Sequence, residues 1–63
     1  MKTKEIIKLI ENNGWYEVRQ TGSHRQYKHA SKKGLVTIPI HRLSNDITIG
    51  IEKSILKQAQ IEK

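Results

Sequence analysis

The sequence predicts a small α+β domain of order α-β-β-β-α, a three-stranded antiparallel sheet with two helices on one face. Three observations carry this. Helical apolar spacing occurs at the two ends only, in Ile6-Ile7-Leu9-Ile10 and in Ile51, Ile55, Leu56 and Ala59. The middle of the chain alternates instead and is rich in aromatic and β-branched residues. Glycine turns at Gly14, Gly22 and Gly34 separate the segments.

In order, Thr3 suits an N-cap for the first helix, and Asn12-Asn13-Gly14 suits its left-handed stop. Trp15 to Gln20 reads as the first strand, and Thr21-Gly22-Ser23 as the turn of a hairpin into a second strand, His24 to His29. Ala30-Ser31-Lys32-Lys33-Gly34 is the next turn. Leu35 to Ile38 is the third strand, closed by Pro39, which has no amide hydrogen to give a ladder. A loop through Asn45-Asp46 leads to the second helix, about Ile49 to Ala59, and Glu62-Lys63 reads as a frayed end. Tyr27 is expected under the helices with Val18, Val36 and Ile38; Trp15 and Tyr16 have rings that could stack bases as RNA-binding aromatics do, but so few aromatics in a small chain are expected in the core.

Residues 1–63 have room for one such domain and no more. The absence of Cys removes disulfide scaffolds and Cys-based zinc sites, and fits a reducing cytoplasm. Apolar runs such as Ile6-Ile7 and Leu35-Val36 fall far short of the roughly 20 residues a membrane span needs. No secretory leader is expected, because Lys8 and Glu11 interrupt the segment that would have to be apolar.

The charge is segregated. Twelve Lys and Arg against six Asp and Glu give a net charge of +6. Between Val18 and Asn45 lie Arg19, Arg25, Lys28, Lys32, Lys33 and Arg42 with no acidic residue, while the rest of the chain is neutral. A solvated surface accounts for a Lys-rich total, but concentration in the middle points to a polyanionic partner.

Helices on one face of the sheet leave the other open, and function is expected there. Alternation along the second strand puts Arg25, Tyr27 and His29 on the packed side and His24, Gln26 and Lys28 on the open side. RNA cleavage needs a base for the 2′-hydroxyl proton and an acid for the leaving 5′-oxygen, and imidazole can do either near neutral pH. Lys28 or Arg25 would steady the phosphate charge that grows in the transition state. Taken alone, an exposed His beside a Lys is more often an ordinary surface pair.

Four segments together carry a family resemblance: Gly14-Trp15, Gly22-Ser23-His24-Arg25-Gln26-Tyr27, Gly34-Leu35-Val36-Thr37-Ile38-Pro39 and Lys53-Ser54-Ile55-Leu56-Lys57-Gln58-Ala59. In this order and spacing the chain resembles the HicA family of bacterial and archaeal toxins, nearly end to end. The resemblance implies a fold like that of the double-stranded RNA-binding domain. It also implies an mRNA interferase, a toxin endoribonuclease of the prokaryotic cytoplasm that acts on mRNA and is neutralised by a HicB antitoxin. The family's functional His falls at His24. Many members have a second His directly after it, where this chain has Arg25, a residue that cannot act as a base. The family often has Gly-Thr at the entry to the last helix and Gly after it; here Ile51 follows Gly50 and Gln60 follows Ala59, changes that bear on capping.

His24 is thus the expected catalytic residue. Ser23, Arg25, Lys28, Lys32, Lys33 and Arg42 are the expected RNA contacts, the cations through phosphates, which position RNA without reading its sequence. Gly22 is expected to supply positive φ to the turn. Ser23 shapes that turn and has no relay partner that would make it a nucleophile. His29 is expected on the packed face and His41 in a basic loop. The three His show no metal-ligand spacing, so neither a metal nor another cofactor is expected. The competing reading is a non-catalytic RNA-binding module of the same fold, and a third is a basic face that docks an acidic protein.

Overall fold

A computed structural model of the chain describes residues 1–40 and 46–61. The elements are α1 (Thr3–Asn12), β1 (Trp15–Thr21), β2 (His24–His29), β3 (Val36–Pro39) and α2 (Ile49–Gln58). The sheet order is β1-β2-β3, antiparallel throughout. The α-β-β-β-α architecture is therefore the one expected. His41 and Arg42, and the Asn45 end of the loop before α2, lie outside the described residues.

The core lies between the helices and one face of the sheet. It gathers Ile6, Ile7 and Ile10 of α1, Trp15, Tyr27, Val36 and Ile38 of the sheet, and Ile55 and Leu56 of α2, with Ala59 just beyond it. The helical spacing of these apolar residues gives each helix a single buried stripe, which is what attaches it to the sheet. Leu9 is half-buried at the margin of the same cluster.

Several boundaries differ from expectation. Lys2, not Thr3, is the N-cap of α1; its amide donates to Glu5 Oε1 at 2.7 Å, while Thr3 enters the helix and is buried. Lys2 also bridges to Asp46, and the Ile47 amide donates to the Met1 carbonyl at 3.0 Å, so the strand-like stretch before α1 braces the one before α2. Leu35 precedes β3 and is 43% exposed. Ile51 is also exposed, one turn ahead of the α2 residues that reach the core.

Two expected core residues, Tyr16 and Val18, are exposed. Pairing is regular from Trp15↔His29 to Glu17↔Tyr27, then shifts so that Arg19, not Val18, is the partner of Gln26. Val18 is the extra residue of a β-bulge. Trp15 faces the helices, so alternation turns Tyr16 to the open side, and the bulge puts both Val18 and Arg19 opposite Gln26, on that side too.

The ends of the elements are closed by specific bonds. Trp15 Nε1 donates to the Ala59 carbonyl at 3.1 Å in the interior, satisfying an acceptor that the end of α2 would otherwise bury unpaired. Beyond α2, the Ile61 amide bonds to the Leu56 carbonyl and the Gln60 amide to that of Lys57, the pair of bonds of a Schellman motif. Its left-handed position is held by Gln60, at φ +57°, where glycine is usual. On the edge strand, the Thr37 amide donates to Gln58 Oε1 at 3.0 Å, so a side chain of α2 covers one open ladder position.

Candidate nucleic-acid interface

The hairpin β1-β2 sets the open face. Its two-residue loop has Gly22 at φ +57° followed by Ser23, the pattern of a type II′ turn, whose twist matches that of paired strands. The Ser23 carbonyl accepts from the Ile40 amide, tying the turn to the end of β3. His24 is thus fixed at the start of β2, between Thr21 and Pro39.

Cross-strand register brings the residues of this face into three rows. Tyr16 stands opposite Lys28; Arg19, Gln26 and Thr37 form the middle row; Thr21, His24 and Pro39 form the last. His24 and Lys28 are exposed and Gln26 is half-buried. Over the four residues from His24 to Lys28 the strip is roughly 13 Å long, at about 3.3 Å per residue. None of the residues in these rows is acidic. The His24 imidazole makes no hydrogen bond or ion pair with another described residue, and the residue is exposed.

Arg25 is not on this face. It pairs with Gln20 and Ile38 on the helix side, and its Nη1 lies 3.7 Å from Glu17 Oε1. Beside it, burial pushes the Tyr27 hydroxyl above its ordinary value of 10.0, and the positive Arg25 opposes that rise. Neither the Tyr27 hydroxyl nor Arg25 Nε has a hydrogen-bond partner among the described residues.

His29 is a structural residue. Its Nδ1 accepts from the backbone amides of Ser31 (3.0 Å) and Lys32 (3.1 Å), and its Nε2 lies 2.8 Å from the Asn13 carbonyl. Two donors on Nδ1 fix the tautomer: the proton is on Nε2, which donates to Asn13. The ring also meets Trp15 edge-on, with centroids 5.3 Å apart. His29 therefore clamps the α1-β1 junction to the β2-β3 turn, and has no nitrogen left for chemistry. That turn carries Lys32, half-buried, and Lys33, exposed, whose carbonyl accepts from Gln60 Nε2 at 3.2 Å.

The sequence-predicted residues thus divide. His24, Lys28 and the Gly22-Ser23 turn come together on one strip; Lys32 and Lys33 sit on the β2-β3 turn; Arg25 is held on the other face. Sequence reasoning did not single out Arg19 as a site residue, and it weighed Tyr16 as a base-stacking aromatic but favoured the core. The exposed strip includes both, Arg19 through the bulge and Tyr16 through simple alternation from the buried Trp15. Among the described residues no three His, Asp or Glu side chains gather as a metal-binding group, and no helix is long and apolar enough to cross a membrane.

A family model, described as the HicA toxin of bacterial toxin-antitoxin systems, matches residues 3–61. No curated protein matches the chain.

Proposed function

The chain belongs to the HicA toxin family of bacterial toxin-antitoxin systems, and on that premise we propose that it is an mRNA interferase, an endoribonuclease that cleaves mRNA with His24 as its acid-base residue. Membership makes it a toxin that has an antitoxin partner; the RNA substrate, the catalytic role of His24 and a HicB-type antitoxin are parts of the proposal. The observation that carries it is an exposed His24 with no competing hydrogen bond among the described residues, set on a strip with Arg19 and Lys28 and without a carboxylate.

In the proposed reaction His24 accepts the proton of a ribose 2′-hydroxyl, and that oxygen attacks the adjacent phosphorus. The bond to the 5′-oxygen breaks, leaving a 2′,3′-cyclic phosphate on one fragment and, once that oxygen is protonated, a 5′-hydroxyl on the other. Arg19, one row from His24, offers positive charge to the phosphate oxygens as negative charge builds on them, while Lys28, at the far end of the strip, meets a phosphate further along the backbone. Lys32 and Lys33, on the β2-β3 turn, extend the positive surface beyond the strip, and they and Arg42 hold the RNA backbone without selecting its sequence. His24 needs no metal ion for its part in this chemistry.

The test is cleavage of a long natural mRNA in EDTA by the purified chain and by His24→Ala, read on a denaturing gel. The proposal expects fragments from the native chain only, with unchanged circular dichroism for the variant, because an exposed strand residue contributes little packing. An active His24→Ala protein removes His24 from the reaction. If neither protein cleaves but both shift RNA mobility, the chain is a binding module of the same fold.

A further inference from the structure

Resting on the reading that the open face takes RNA, we infer that Tyr16 is a stacking platform for an unpaired base, at the end of the strip remote from His24. The chain has only three aromatic residues outside His. Trp15 and Tyr27 are fully enclosed in the core, at 2% and 0% exposure, whereas the adjacent Tyr16 is 49% exposed. Its ring therefore adds little to the packing of the domain, and its hydroxyl bonds to no other described residue. Val18, 45% exposed, adds a second apolar side chain on the same face.

What surrounds Tyr16 defines the occupant. Lys28 is its direct cross-strand partner, Val18 and Arg19 follow it around the bulge, and the neighbouring carboxylate, Glu17, is turned to the opposite face where Arg25 takes it up. A flat π-surface with cations beside it and no negative charge on its own side fits a nucleobase together with its flanking phosphates. Bases held in a duplex are already stacked and cannot offer a face, so the platform selects unpaired RNA. Tyr16 and His24 stand at opposite ends of a strip about 13 Å long, so the stacked base is not one that adjoins the cleaved phosphate but one further along the strand. Tyr16 and Lys28 then act as one subsite: the ring holds the base and the ammonium meets its phosphate.

The experiment uses the full chain in a His24→Ala background, so that RNA stays intact, and measures fluorescence anisotropy with an unpaired RNA oligonucleotide, the same sequence as a duplex, and polyglutamate as an acidic chain without bases. Tyr16→Ala is expected to weaken binding of the unpaired RNA about tenfold. It should change the affinity for the duplex and for polyglutamate by less than twofold, roughly the effect of an exposed side chain that touches neither. Tyr16→Phe should keep the affinity for unpaired RNA, since the ring alone stacks.

A second measurement replaces single bases of the unpaired RNA by abasic sites. One position should lose affinity in the Tyr16-containing protein and lose no more in Tyr16→Ala. Three results overturn the inference: an unchanged affinity in Tyr16→Ala, an equal loss for all three probes, or a loss in Tyr16→Phe as large as in Tyr16→Ala. In each of these the chain still binds RNA, so only the platform falls. A chain that binds no RNA at all overturns the RNA reading and the platform with it. Loss of polyglutamate binding alone on Tyr16→Ala marks the face as a protein contact and overturns the platform.

Discussion

The imidazole of His29 occupies the space that a side chain at Gly14 would need: a Cβ at Gly14 would stand 2.6 Å from His29 Nε2. Gly14 is also at φ +95°, where an L side chain is strained. Gly14→Ala is therefore expected to lower stability by about 2 kcal/mol or more. Part of that loss is collision with the ring and part is backbone strain. Removing the ring as well, in a Gly14→Ala/His29→Ala double variant, relieves only the first part. The double variant should thus lose less than the sum of the two singles in urea titrations. Strict additivity would show that the ring and the glycine do not constrain each other.

The left-handed C-terminal position of α2 gives a stabilising substitution. A non-glycine residue there costs roughly 1–2 kcal/mol. Gln60→Gly removes that strain but frees the unfolded chain by about 0.4–1 kcal/mol and gives up an exposed bond to the Lys33 carbonyl. The expected balance is a gain of about 0.5 kcal/mol, seen in a thermal melt as a rise of about 2–4 °C for a domain of this size. A lower melting temperature would mean that the Gln60 side chain holds the β2-β3 turn more strongly than its backbone strains α2.

Burial raises the titration of Tyr27 above 10.0 in the folded chain. The sign follows from linkage: the folded state holds this proton more tightly than the unfolded one, so the Tyr27 contribution is complete below about pH 10 and is lost as pH rises through the folded value. Tyr27→Phe has no such proton and should lose less stability between pH 9.5 and 11.5, a window of about two units centred near the Tyr value. Urea midpoints measured for both proteins across that range test it, because every other titrating group is common to the pair. Parallel losses would mean that the Tyr27 hydroxyl is as well solvated in the folded state as in the unfolded one.

The two faces of the hairpin should differ in RNA binding. Arg19→Ala and Lys28→Ala are each expected to weaken RNA several-fold and to reduce the salt slope of log affinity by about 1. Arg25→Ala removes a cation of the opposite face, already engaged by Glu17, and should leave the slope within about half a unit of native. Titrations at several salt concentrations decide between them. An Arg25→Ala slope as shallow as that of Lys28→Ala would put the RNA around the edge of β1 instead of across the open face.

Much of this arrangement is legible in the sequence. Of the apolar residues read at helical spacing, Ile6, Ile7 and Ile10 and Ile55, Leu56 and Ala59 are buried, while Leu9 is half-buried and Ile51 exposed. The Gly22-Ser23 turn fixes the hairpin register, which is why the face of His24 and Lys28 could be assigned from alternation. Tyr16 and Val18 were misjudged for a shared reason: residue type favours the core for both, but alternation from Trp15 puts both outside. The position of Arg19 was hidden by the bulge, which depends on pairing across the hairpin and leaves no mark in β1 itself. Thr3 has the chemistry of an N-cap, but with Lys2 bridged to Asp46 and acting as the cap the helix starts one residue earlier, a contact between distant parts of the chain that local patterns do not carry. His29 reads only as a packed histidine until the Ser31, Lys32 and Asn13 backbone groups around it are known.

The bond from Trp15 to the Ala59 carbonyl gives the molecule a built-in optical gauge. Trp15 is the only tryptophan, it is almost wholly enclosed, and its indole hydrogen is donated to the carbonyl of Ala59, the C-cap of α2. If α2 lifts from the sheet, that hydrogen and the ring meet water together, and indole emission moves to longer wavelength. Detachment of the C-terminal helix can thus be followed without a label, separately from the far-ultraviolet signal of the helix itself. Any of the variants above can be sorted by the same light: an unshifted emission maximum means that a change in RNA binding arose at the open face and not from a loosened core behind it.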